Sequence, residues 1–500
     1  MSRSRSVIKN TIWEMGYYIV VILLGFLAPR YIILYYSSEV NGLSSTITQI
    51  LNIILILQAG ATTAAIYSLY KPISDNDHDE ICRNTAFAEN FFNKIAWIFG
   101  GIMLIVAAAV PFFLKSGLDK KYVFIAFVIM GLKSFTDLYY TAKFRIVFTA
   151  YQEKFYISIA TMVEQIVYYA MVFITIFCHW HFLLMYVWFL LGCIVKVMFL
   201  EIAFKKKHSD IITRKYRKEK GTIGGRNYAL ANEVAHSIVN SSITIILSFM
   251  YGLKEASVYS VYALISQALN LIATSIYSSF APSFGNLVAQ EDKENAARVF
   301  SIFQYVYVMM NTFLMMSMLF LVVPFVRIYT AGVSDIDYIN FGLATTLVFS
   351  GLFSAYRIPY NVLVSTCGFF KETWKQPVIC ALLSIVVSIV LGQLSYSLII
   401  VGPVLFYFMN FVYQYFKLKQ LIPWLIDTKV YIMLVISMVG ILGVVGVNNI
   451  VEVPTGVVWW IISAIIFSIL SLSYIVLMSK VFLKLELNRS VQYIKRILSR

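Results

Sequence analysis

Phe182-Leu-Leu-Met-Tyr-Val-Trp-Phe-Leu-Leu-Gly-Cys-Ile-Val-Lys-Val-Met-Phe-Leu-Glu-Ile-Ala-Phe204 carries only Lys196 and Glu201 as charges and is closed by Lys205-Lys-Lys207. The hydrocarbon core of a bilayer takes about 20 apolar residues of helix. The stretch therefore has the length of one membrane crossing, and the lysines at its end mark the side on which it stops. Working outward, further runs of this kind fall near 12–35, 42–69, 92–114, 122–147, 156–178 and 227–251. Others follow near 257–288, 300–325, 340–366, 377–396, 398–418, 430–448 and 457–480. With 182–204 they make about fourteen spans; the division between 396 and 398 rests only on Gly392 to Pro403. An all-α membrane protein is expected.

Composition agrees. Of 500 residues, 60% are hydrophobic and 13% charged, against about 45–50% and about 25% in soluble domains. Such a chain lacks the polar residues for a water-facing shell, and lipid serves as much of its solvent. The net charge of +15 would suggest nucleic acid for a soluble protein. Here the basic residues cluster in loops, so nucleic acid is not an expected partner. The five cysteines are scattered without a CxxC pair, which suggests neither metal site nor disulfide framework. Met1-Ser-Arg-Ser-Arg-Ser6 precedes a run too long for a signal-peptide core and is read as the start of a retained first span.

Lysine and arginine placement orients the chain. The N-terminus, the loops after even-numbered spans and the C-terminus, with the span ends that adjoin them, together hold 31 of the 40 basic residues. The opposite loops hold 5, and Arg30, Lys133, Lys196 and Arg357 lie within spans. This bias places both termini in the cytoplasm. The richest segment, 205–226, reads as a topology anchor and linker between halves; the rival reading is a site for anionic lipid heads.

The chain also repeats. Val110-Pro-Phe112 and Val323-Pro-Phe325 are 213 residues apart, and Ala142-Lys-Phe-Arg-Ile146 and Ala355-Tyr-Arg-Ile358 place Arg145 and Arg357 212 apart. Gln49-Ile-Leu-Asn52 and Gln267-Ala-Leu-Asn270 match at 218, and the acidic turns 75–83 and 291–298 match near 215. The expected organisation is a six-helix half at 1–204, the linker 205–226, a second half at 227–418, and two further spans with a basic cytoplasmic tail at 419–500. An even number of spans per half gives a pseudo-two-fold axis along the membrane normal, a central cleft, and alternating access by rocking. Gly221-Thr-Ile-Gly-Gly225 lacks the phosphate-binding GxxxxGK[ST] pattern, and no enzyme active site is expected.

Ionisable groups inside a bilayer are costly, so each is a candidate for function. Arg30, after Pro29 in the outer half of the first span, is either an anion-binding cation or a snorkelling anchor. Lys133 near the middle of the fourth span has Asp137 four residues on, the spacing of one helix face; the two form a self-neutralising pair, Lys133 is a free substrate cation, or the pair opens when substrate or a coupling proton competes. Arg357 lies mid-span before Ile358-Pro359, with Arg145 as its repeat partner. An arginine fork matches phosphate oxygens and stays charged, so Arg357 is the leading binding candidate against a structural ion pair. Glu164 and Glu233 are candidates for proton or sodium coupling, or are partners of Arg145, Arg226 or Arg357. His236, on Glu233's face, is a candidate relay or a packing residue. Glu14, near the start of the first span, is a candidate for coupling or for a charge partner, with an interfacial residue as the rival reading. His179-Trp-His181 lacks the further ligands a metal needs. No bound cofactor is expected.

Two stretches carry a family resemblance. One runs from Pro29-Arg30 through Ser38-Glu39-Val40-Asn41-Gly42-Leu43 to Gly60-Ala-Thr-Thr-Ala-Ala65. The other is Ser242-Ile-Thr-Ile-Ile-Leu247, Tyr251-Gly-Leu253, Val258-Tyr-Ser-Val-Tyr262 and Pro282-Ser-Phe-Gly-Asn-Leu287. They resemble the fourteen-helix oligosaccharide flippases of polysaccharide biosynthesis, in the superfamily that includes multidrug and toxin extruders and lipid II flippases. The chain departs from many relatives where an early aspartate of the seventh span is replaced by Asn240-Ser-Ser-Ile-Thr244. The resemblance implies a substrate of undecaprenyl-pyrophosphate-linked sugar units, turned from the inner to the outer leaflet of a bacterial cytoplasmic membrane. It also implies a monomer among membrane lipids, with polysaccharide polymerase and chain-length proteins as partners. Arg30, Lys133, Arg357 and Arg145 match the anionic pyrophosphate. The rivals are an ion-coupled multidrug efflux antiporter, whose cleft would be dominated by Asp137, Glu164 and Glu233, and a lipid II-type flippase. A membrane glycosyltransferase would need a sizeable external loop, and all the external loops here are short.

Overall fold

Within lipid a backbone must close its own hydrogen bonds, which leaves helices as the solution for isolated apolar runs. The computed structural model describes residues 3–58, 60–211, 213, 216, 227–289, 293–451, 454 and 456–498, and among them it is helical with no strand. The helices are α1 (Arg3–Tyr35), α2 (Ser38–Leu55), α3 (Ala61–Asp75), α4 (His78–Phe113), α5 (Lys120–Ala150) and α6 (Phe155–Phe177). Then come α7 (Leu183–Lys207), α8 (Asn227–Met250), α9 (Leu253–Ala289), α10 (Lys293–Tyr329), α11 (Phe341–Cys367) and the single turn α12 (Phe370–Thr373). The last are α13 (Lys375–Gly392), α14 (Val401–Leu421), α15 (Val430–Asn448), α16 (Val457–Phe482) and α17 (Lys484–Leu498).

Fourteen segments among the described residues are long and apolar enough to cross a membrane. Their outward faces are what lipid requires: Leu382, Val386 and Val390 on α13 and Ile465, Ile469 and Leu472 on α16 are all exposed. Apolar surface on this scale would not be stable in water. Polar residues start the helices at the span ends. Asp77 accepts a hydrogen bond from the Glu80 N–H at 2.9 Å, Asp119 from Lys121 at 2.9 Å, and Asn340 from Leu343 at 2.7 Å; each satisfies a donor the first turn leaves open.

Two expected boundaries change. The run 42–69 is not one helix. It ends in a 3-10 turn at Ile56–Gln58, and α3 starts after Gly60, whose φ of 73° suits a residue without Cβ. The C-terminal tail is not merely basic: it forms α17, which packs against α10 and α16. Lys429 binds it there through Glu486. The linker 205–226 falls mostly outside the described residues, as does Arg226, although Lys205–Lys207 complete α7.

The chain divides into two compact units, Met1–Leu230 with Leu247–Ser257, and Ala231–Ile246 with Val258–Arg500. In the first, α4 packs on α5, α6 on α7, α1 on α6 and α5 on α7. Its Leu247–Ser257 segment is held tightly to α2. A Cβ on Gly42 would lie 1.8 Å from the Leu253 carbonyl oxygen, so backbone meets backbone there. Asn41 donates to the Ser257 hydroxyl at 2.7 Å, and the Thr46 and Ser248 hydroxyls share a hydrogen bond at 2.5 Å. In the second unit α10 is central: it packs against α11, α15, α16 and α17 and is the most buried of the spans, at 61%.

Candidate functional site

Four charged residues of the first unit's spans converge where α5, α6 and α7 pack together. Lys133 and Asp137 stand one turn apart on α5, Glu164 on α6 and Lys196 on α7. Gly192, one turn before Lys196, lets α7 close on α6: a Cβ there would lie 3.0 Å from the Glu164 carbonyl oxygen. That approach brings the Lys196 ammonium to 2.6 Å from Asp137 Oδ1 and 2.7 Å from Glu164 Oε2. Glu164 and Lys196 are 1% and 6% exposed. Burial of such charges is tolerable only because each finds its opposite.

Two further cations join more loosely. Lys133 Nζ lies 3.3 Å from Glu164 Oε1, but that oxygen receives no hydrogen bond, so charge alone holds the contact. The same ammonium lies 4.4 Å from the centroid of the Phe189 ring, within cation–π range. Arg145 Nη2 is 3.7 Å from Asp137 Oδ2 and donates to the Thr141 hydroxyl at 3.3 Å. Three cations thus face two carboxylates, an excess of one positive charge.

The excess opens onto a cavity of about 160 Å³. Lys133, Asp137 and Arg145 lie on its wall, with the neutral polar side chains of Thr48, Asn52, Gln58 and Ser134 and the ring of Phe189. The Gln58 Oε1 atom is buried there without a hydrogen-bond partner. Lys196 and Glu164 are not on this wall. The space holds several waters, each taking about 30 Å³, or a compact diphosphate, but not an oligosaccharide.

The expected Lys133–Asp137 pair does not form. Residues four apart share a helix face but do not have to touch, and the carboxylate of Glu164 from α6 and the ammonium of Lys196 from α7 compete better. Glu164, likewise, is paired with Lys133 and Lys196 rather than with an arginine. The sequence places Lys196 within a span without showing its role. The available signal was a lone lysine four residues after a glycine in an otherwise apolar run.

Arg357 lies in the second unit, 4% exposed on α11. It has no ion pair among the described residues, and its Nε has no hydrogen-bond partner. Its guanidinium carbon lies 5.6 Å from the Tyr407 ring centroid. The Tyr407 hydroxyl shares a hydrogen bond with His236 Nε2 at 3.0 Å and donates to Asn240 Oδ1 at 3.1 Å. His236 therefore belongs to a tyrosine–asparagine cluster and makes no contact with Glu233 of the kind a relay needs. Glu233 is exposed on α8. Arg30 is half-buried in α1, with no ion pair among the described residues. Glu14 pairs with Lys154 at 2.6 Å, as an interfacial residue would. Among the described residues no group of His, Cys, Asp and Glu is placed to hold a metal.

No family model matches the chain, and no curated protein matches it. Solved structures do match in fold. A multidrug resistance MATE family transporter of the MOP superfamily, in an inward-facing conformation, superposes with a TM-score of 0.69 at 10% identity, over 82% of this chain and 98% of that one. The lipid II flippase MurJ, in an inward closed conformation, gives 0.67 at 15% identity over 95% and 99%. A MOP superfamily transporter from Pyrococcus furiosus, described by the reverse polarity of its binding pocket, gives 0.56 at 12% identity over 85% and 96%. The chain is a multi-pass membrane protein with the fold these transporters share.

Proposed function

We propose that the chain is a flippase for polyprenyl-pyrophosphate-linked oligosaccharide, moving it from the inner to the outer leaflet by alternating access. The observation that carries this reading is the cation excess at the wall of the first unit's cavity. A pyrophosphate crossing lipid must exchange water for cations and hydrogen-bond donors, because an unpaired charge there costs several kcal/mol or more. Lys133 and Arg145 supply charge. The Asn52 amide supplies a neutral donor and Phe189 an apolar wall, while the Thr48 and Ser134 hydroxyls donate to the Ser44 and Met130 carbonyls of their own helices. The glycan extends beyond a space of this size.

Several features support the wider picture: cytoplasmic termini from the charge bias, two six-helix halves from the repeat, and a fold shared with transporters. In this reading the protein works as a monomer in a bacterial inner membrane, beside the polymerase and chain-length proteins that use its product, and a proton or sodium gradient drives it. A lipid II-type precursor has the same pyrophosphate and fits the same observation. An efflux antiporter for cations fits less well, because Lys133, Arg145 and Lys196 together outnumber the two carboxylates.

The test is a proteoliposome assay of leaflet exchange with a fluorescent polyprenyl-pyrophosphate oligosaccharide, a lipid II analogue and a lipophilic cation. The reading expects transport of the first. Exchange of the lipid II analogue alone would move the assignment to that substrate, and transport of the cation alone would overturn it.

A further inference from the structure

We infer that Lys196 is a positioning residue that sets the anion selectivity of the cavity without touching what binds there. The inference rests on the proposed function above. Asp137 is on the cavity wall, and left to themselves Asp137 and Glu164 would take up Arg145 and Lys133 as full partners. The count would then be two against two, and the site would hold no charge to spare. Lys196 prevents this from behind the wall. Its ammonium holds one oxygen of each acid at 2.6 and 2.7 Å. Only the outer oxygens remain for Lys133 and Arg145, at 3.3 and 3.7 Å, and the Lys133 contact lacks a hydrogen bond. These two cations are thus anchored but under-used, which is the condition for exchanging a carboxylate for a phosphate oxygen. Gly192 is part of the same device, since the close approach of α7 to α6 sets the reach of Lys196.

The test reads binding of geranylgeranyl pyrophosphate against geranylgeraniol by the purified full chain in nanodiscs. Lys196→Met should lower the preference for the pyrophosphate by roughly tenfold, the scale of one lost charge-assisted contact. Lys196→Arg should keep it. Lys196→Met combined with Glu164→Gln restores an excess of one positive charge and should recover most of the preference. An unchanged preference in Lys196→Met, or a double variant as weak as the single one, would overturn the inference. Should Lys196→Met not fold, Glu164→Gln alone raises the excess to two and must strengthen the preference; no change there overturns the inference equally. A wild-type protein indifferent to the pyrophosphate would instead count against the proposed function itself.

Discussion

The Lys133 ammonium lies 3.3 Å from a carboxylate oxygen of Glu164, on a neighbouring helix, and not beside Asp137 one turn along its own. A double-mutant cycle measures this choice. Lys133→Met with Glu164→Gln should show a coupling of about 1–3 kcal/mol in detergent unfolding, and Lys133→Met with Asp137→Asn less than about 0.5 kcal/mol. The reverse order would restore the intrahelical pair.

Arg357 calls for a different measurement, because it is buried with no acid partner among the described residues. Arg357→Lys keeps the charge and loses the fork; Arg357→Ala loses both. Glycan export should fall from wild type to Lys to Ala while the amount of protein in the membrane stays constant. Loss of protein in step with export would make Arg357 structural, and normal export by Arg357→Ala would remove it from the mechanism.

The orientation follows from charge placement and is open to reporter fusions. Fusions at 115–119, 252–256 and 330–337 should report outside, and at 208–211 inside. An external signal at 208–211 would reverse the topology and every assignment of leaflet that depends on it.

Lys429 ties α17 to the body of its unit. Burial lowers its pKa, but the hydrogen bond to Glu486 and the charges of Asp427 and Glu486 outweigh that, and the net shift is upward. A raised folded-state pKa contributes stability that is present below the ordinary lysine range and is lost as pH rises through the folded value. Thermal stability should therefore fall above about pH 10.4 in wild type. Lys429→Met should start lower by about 1–3 kcal/mol, the cost of leaving buried Glu486 unsatisfied, and show a smaller alkaline loss. An identical alkaline slope in the two proteins would deny Lys429 this role.

How much of this was legible beforehand depends on the range of the interaction. The spans were readable because about 20 apolar residues are needed to cross a bilayer whatever surrounds them, and 430–448 matches α15 residue for residue. Gly60 interrupted a run that hydropathy alone treats as continuous, since a glycine costs hydropathy little and backbone geometry much. The charges inside the spans were all visible, but their partners were not. Lys133, Glu164 and Lys196 meet across three helices whose order of packing no spacing rule supplies. The partners of Lys196 are hidden from the sequence for that reason, although Gly192 marks a face able to approach another helix. Helix α17 is hidden in what reads as a basic tail, because its amphipathic pattern matters only once α10 and α16 are there to pack against it and Lys429 to pair with Glu486.

The central claim is that Lys133 and Arg145 make the cavity an anion site. The most direct measurement is the affinity of the Lys133→Met, Arg145→Met double variant for geranylgeranyl pyrophosphate and for geranylgeraniol, with wild type alongside. The account predicts that wild type prefers the pyrophosphate by roughly a hundredfold, from two charge-assisted contacts of about 1.5 kcal/mol each. The variant should bind both lipids alike and keep wild-type affinity for the alcohol. A double variant that still prefers the pyrophosphate as strongly as wild type would contradict the account.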